Sequence, residues 1–225
     1  MCSMLWRSWE FVIETRMSIA DLTSRVFEPG TTGWSVADLG NPQIQRQWER
    51  GAYEIVEGVL TKMPAAYFEG GASLDALADV IKQHLKAHNQ RGRFAFEVDV
   101  VVSPQRVARV DAVFLTPEDQ RRQKEANAEA GIKDLAFGRI LIAPTLIIQS
   151  VSIGHEAHDR QTKRRWYAEK QVPNYWILDA YQRTLECLVL SESEYRTDQI
   201  GGSNDELRPA LFPGLVIPLR EIWVE

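Results

Sequence analysis

Cysteine is scarce in this chain: of 225 residues only Cys2 and Cys187 carry thiols. They form no CxxC pair, and the four histidines make no cluster at zinc spacing. A disulfide scaffold and a structural zinc site are therefore excluded as organising principles, and a reducing cytoplasmic setting is expected. A positive field is missing too. Lys and Arg number 26 against 31 Asp and Glu, a net charge of -5, so any nucleic-acid contact has to come from a local basic strip. No apolar run is long enough to cross a membrane, and Glu10 and Glu14 interrupt the opening MCSMLWRSWEFVIETR before a signal-peptide core forms, so no membrane partner is expected. There is no glycine-rich phosphate loop after a strand, no G-x-S-x-G and no H-E-x-x-H. Nucleotide-binding folds of those types, serine hydrolases and zincins fall away with them.

What remains is ordinary globular material, 44% hydrophobic and 25% charged, enough for one well-buried domain with decorations. Pro29-Gly30, Gly33 and Asn41-Pro42 punctuate an N-terminal extension and approach segment over residues 1–50, leaving 51–225 as the domain. YEIVEGVLTKMP (53–64), broken by Gly58, reads as a hairpin or bent strand pair. Ser73 can cap a helix whose apolar face is Leu74, Leu77, Ile81 and Leu85. FAFEVDVVVSP (94–104) and RVDAVFL (109–115) alternate as adjacent strands, and alternation puts Glu97 and Asp99 on one side of the first. Residues 117–130 read as an exposed charged helix within a long loop.

PTLIIQSVS (144–152) has the near-continuous apolar character of a strand buried on both faces, yet Gln149 and Ser150 interrupt it. A helix over 156–170 follows, then strands over 174–180 and 184–195 turned at Tyr181-Gln182-Arg183. A strand, a helix and a returning strand imply a crossover, hence an α/β fold: a mixed sheet core flanked by helices in a single domain.

Taken in order, YEIVEG, RVDAVFL, PTLIIQSVS, the helical Asp159, Lys163 and Tyr167, then QVPNYWILD and LFPGLVIPL resemble the Uma-two family of putative restriction endonucleases, within the PD-(D/E)XK phosphodiesterase superfamily. The resemblance implies a restriction-endonuclease-like fold and a nuclease that hydrolyses phosphodiester bonds of DNA. It also implies a catalytic set at Asp111, Gln149 and Lys163, with Mg²⁺ or Mn²⁺ as cofactor: carboxylates would anchor the hard cation and the lysine would assist at the water or phosphate. Two positions depart from the pattern. Gln149 stands where the family carries Glu, removing a unit of negative charge opposite a dication, and Gly70 stands where a histidine is common.

Each candidate also has a plainer reading. Asp111 in an apolar strand has to be paired, exposed at an edge or metal-bound. Gln149 is either a satisfied core amide or a weak metal or phosphate contact. Asp159 and Lys163, four apart, make a helical ion pair at least, although Asp159, Lys163, Trp166 and Tyr167 share one side that is not expected to be all solvent. Glu97 or Asp99 can replace the missing acid as a metal ligand if their side faces Asp111. His155 and His158 are candidate ligands or bases at the helix entrance. The helix around Lys163, with Arg160, Arg164, Arg165 and Lys170, is the most basic segment and the expected contact for nucleic acid. Analogy of fold adds a homodimer. Two functions follow: a metal-dependent endonuclease, or an inactive member with a degenerate site that binds DNA or a protein.

Overall fold

The structure, a computed structural model, describes residues 26–64, 67–130 and 138–223. The chain divides into two compact units, the residues up to Met63 with Ser103–Val107, and Pro64–Val102 with the residues from Ala108 onward.

In the smaller unit, Asn41 accepts from the Gln43 amide and Pro42 fills the first turn, so a short helix, α1 (Pro42–Trp48), starts where Asn-Pro punctuation expects a boundary. The YEIVEG segment is a tight hairpin of β1 (Tyr53–Val56) and β2 (Val59–Lys62), paired antiparallel from Tyr53 with Lys62 to Val56 with Val59. Glu57 (φ 49°) and Gly58 (φ 77°) make its turn in the left-handed region. The Gly58 amide donates to the Gln105 carbonyl at 2.9 Å, and Arg106 pairs with Glu57 at 2.8 Å. Trp34, Trp48, Ile55 and Leu60 form the buried centre, and Glu54 is buried with them.

The larger unit holds the long helix α2 (Phe68–Ala87), β3 (Arg93–Ser103), β4 (Arg106–Leu115, here from Ala108 on), α3 (Pro117–Glu129), β5 (Leu146–Ser150), a π-helical turn (His158–Lys163) continuing as α4 (Arg164–Glu169), β6 (Asn174–Asp179), β7 (Thr184–Ser191) and β8 (Glu194–Gly202). β3 pairs with β4, β4 antiparallel with β5, β5 parallel with β6, and β6, β7 and β8 follow antiparallel. The result is the expected mixed sheet, with the helical segment between β5 and β6 as its crossover.

One face of this sheet packs Ala112, Phe114, Leu146, Ile148, Trp176 and Leu178 against Leu74, Leu77, Ile81 and Leu85 of α2. This is the apolar stripe read from the three- and four-residue steps, and truncating Leu77 to Ala would cost about 2–5 kcal/mol. On the other face Tyr167 lies edge-on to Tyr175 at 5.0 Å, and Trp166 is fully buried. Strand alternation then fixes the polar exceptions: Gln149 shares the face of Ile147, and Ser150 that of Ile148.

Two expectations need correction and one needs refinement. Ser73 does not cap α2, which begins five residues earlier behind Tyr67, leaving Ser73 buried within the helix. Its start runs through Gly70, where an added Cβ would stand 2.5 Å from the Ser150 Oγ, so a side chain there would require that hydroxyl to turn away. The run 184–195 is not one strand but a hairpin, turned at Glu192 (φ 59°) and Ser193 between β7 and β8. Finally, the expected helix over 117–130 is present as α3 and largely exposed, but its setting differs, because one face is bonded to the chain. Thr116 and Asp119 form its capping box, Asp119 also accepts from the Thr145 amide and hydroxyl, and the Gln123 side chain holds the Leu141 amide and the Arg139 carbonyl. These bonds tie one face of α3 to the residues entering β5.

Candidate active site

Extending the β4 to β5 register by one residue puts Asp111 opposite Gln149. The Gln149 Nε2 donates to Asp111 Oδ2 at 2.7 Å, and the Ser150 backbone amide donates to the same oxygen at 2.6 Å. The Gln149 Oε1 is buried with no hydrogen-bond partner, an acceptor whose desolvation is uncompensated. Burial is the largest influence on the Asp111 carboxyl and pushes its pKa up to about 7. The nearby Lys163 ammonium and the Ser150 amide pull it down, while Glu97 and Asp159 push it up.

Lys163 and Asp159 come from the π-helical turn, a rare geometry that recurs at functional sites. Both side chains are 1% exposed, so the pair is a buried one and not the surface bridge that its spacing alone would allow. The Lys163 Nζ lies 3.2 Å from Asp159 Oδ1, close enough for an ion pair although not aligned as a hydrogen bond, and donates to the Arg109 carbonyl at 3.3 Å. Asp159 Oδ2 accepts from the Ser152 amide at 3.2 Å, and the Asp159 carbonyl accepts from the Tyr175 hydroxyl at 2.9 Å. Trp166 and Tyr167 are buried behind them, so the shared helical side is core.

The two acids of β3 part company. Alternation fails at Glu97, which sits at φ 50°, a left-handed conformation rare for a non-glycine residue in a strand and found where a side chain is re-aimed near a site. Asp99 is buried and spent on arginine, 3.0 Å from the Arg109 Nε and 3.7 Å from the Arg139 Nε. Glu97 instead lines a small cleft together with Asp111, Ser150, Val151 and Ser152 from the strands and Tyr67, Gly71 and Leu74 from the start of α2. The cleft offers about 40 Å³ of room, enough for an ion and a water. Among the described residues no three His, Cys, Asp or Glu side chains form a metal-binding group.

His155 and His158 do not line this cleft; the His158 ring sits edge-on to Trp166 at 5.6 Å. The basic side chains of the helix mostly turn inward or pair locally. Arg160 holds Asp179 at 2.8 Å, Arg164 donates to the Tyr195 carbonyl at 2.7 Å, Lys170 to the Leu141 carbonyl at 2.8 Å, and Arg165 lies 3.9 Å from Glu169. Tyr67 and Gly71 escaped the sequence reading because the helix start was placed at Ser73; the exposed pair Tyr67-Phe68 was the available signal. No described helix is long and apolar enough to cross a membrane.

A mixed sheet flanked by helices, with Asp111 and Gln149 on its central strands and Lys163 beside them on the crossover helix, is an arrangement of the nuclease-like α/β class. The family model described as "Putative restriction endonuclease", Uma2, matches residues 43–220, and the chain belongs to that family. A solved structure described as a putative nuclease belonging to DUF820, from Anabaena variabilis, is similar with a TM-score of 0.58 at 15% identity, covering 77% of this chain and 90% of that one; at this identity the likeness concerns the fold. No curated protein matches the chain.

Proposed function

We propose that this protein is a divalent-metal-dependent phosphodiesterase acting on nucleic acid, with Glu97 taking the place of the acid lost at position 149. The observation that carries this reading is the place of Glu97, at its strained φ, in the lining of the cleft of Asp111 while Asp99 is engaged by arginines. Asp111 and Glu97, both in the cleft lining, are hard oxygen donors of the kind Mg²⁺ or Mn²⁺ takes, and such ions manage with one or two carboxylates when water completes the shell. When bound there, the ion would supply Lewis acidity toward the phosphate and a more acidic water. Gln149 and the Ser150 amide fix the Asp111 carboxylate in place. The Lys163 ammonium, steadied by Asp159 and the Arg109 carbonyl, favours ionised Asp111 from behind.

A second reading, an inactive member that binds DNA or a protein, is favoured by one contact: the Gln149 amide already occupies Asp111 Oδ2, as a neutral substitute for a cation. Calorimetric titration with Mn²⁺ separates the two. The first reading expects wild-type binding that disappears in both Asp111→Ala and Glu97→Ala, with Mn²⁺-dependent cleavage of a nucleic-acid substrate lost in the same variants. Binding confined to Gln149→Glu would overturn it in favour of the second. Cytoplasmic location and homodimer formation belong to the same proposal.

A further inference from the structure

Among the described residues four aromatic side chains are exposed: Tyr67, Phe68, Phe96 and Tyr181. Two of these stand at one cleft: Tyr67 is part of its wall and Phe68 follows at the first turn of α2, whereas the Phe96 ring lies 5.5 Å from the Lys82 ammonium, further along that helix. Phe68 is 75% exposed, a large apolar area to leave in water beside a polar site. Ile153, next to the cleft residue Ser152, is exposed as well.

Aromatic faces and phosphodiester chemistry share few substrates. In a stacked duplex the base faces are covered, so exposed rings next to a phosphodiester-directed acid pair can meet bases only where a strand is unstacked.

We infer that the cleft takes single-stranded nucleic acid, with bases stacked on Tyr67 and Phe68 beside the phosphate presented to Asp111 and Glu97. This specifies the substrate class of the phosphodiesterase reading and rests on that reading.

The test is fluorescence anisotropy with a labelled oligothymidylate of about a dozen nucleotides, within the usual span of single-strand sites, and with a duplex of the same length, in Ca²⁺. Cleavage in Mn²⁺ is followed in parallel. The single strand should bind wild type more tightly than the duplex. Phe68→Leu and Tyr67→Ala should each weaken single-strand binding about tenfold, the loss of one stacked base, whereas Phe68→Trp should keep it. Circular dichroism checks that these exposed substitutions leave the fold intact. Asp111→Asn should lose cleavage and keep the strand preference. If wild type prefers the single strand but never cleaves, the catalytic reading fails while the stacking surface stands. The inference is overturned by a duplex preference, by Phe68→Leu binding as well as Phe68→Trp, or by self-association that Phe68→Ala abolishes in a protein that does not bind the single strand.

Discussion

Two carboxylates, Asp99 and Asp111, lie buried in the larger unit on adjoining strands, and their surroundings assign them different work. Asp99 is held by two guanidinium groups. Asp111 accepts from a side-chain amide and a backbone amide, with its nearest named cation, Lys163, engaged by Asp159. A carboxylate among arginines is a strut, expensive to disturb. A carboxylate among amides, with its pKa lifted to about 7 by burial, keeps a proton or a cation within reach near neutrality and can exchange one for the other.

The contrast can be broken most forcefully at the buried cation. Lys163→Met leaves Asp159 charged and without its ion pair in the interior, and chemical denaturation should show a loss of about 3–5 kcal/mol. Asp99→Asn should cost somewhat less, about 3 kcal/mol, because Arg109 and Arg139 retain partial access to water; Mn²⁺ affinity should be unchanged, since this residue does not line the cleft.

A pH series in metal-free buffer sharpens the comparison from the other side. The folded pKa of Asp111 is raised, so its contribution to stability is intact below the unfolded value near 3.8 and is lost as the pH climbs through about 7. Asp111→Asn should therefore gain on wild type between those values, by at most about 4 kcal/mol at pH 8. Equal pH profiles for the two proteins would place Asp111 with Asp99 as a strut. The smallest effect is expected from Gln149→Glu, which restores a charged oxygen and should raise Mn²⁺ affinity about tenfold, roughly 1.4 kcal/mol.

Much of this was legible in the sequence because it depends on period and order. The α2 stripe, the doubly buried β5 and the crossover follow from apolar spacing and element order, and the pairing of Asp111 with Gln149 was implied by the family resemblance. What escaped depends on single dihedrals and on contacts distant along the chain. Alternation cannot foresee Glu97 at φ 50°, which breaks the side-chain alternation inside β3, or Glu192 at φ 59°, which turns β7 into β8. Four-residue spacing describes Asp159 and Lys163 equally well in an exposed α-helix or a buried π turn, and only Tyr175, donating to the Asp159 carbonyl from β6, marks the difference. Arg139 lies 40 positions from its partner Asp99, and no local pattern connects them.

The contact of Gly70 with Ser150 bears on how such a site changes over time. Gly70 lies against Ser150, the residue after Gln149, so the helix start and the end of β5 share one small space. A side chain at position 70 requires the Ser150 hydroxyl to turn to another rotamer, and replacing Ser150 by a smaller residue removes that requirement. The two positions are therefore expected to tolerate substitution together more readily than position 70 does alone.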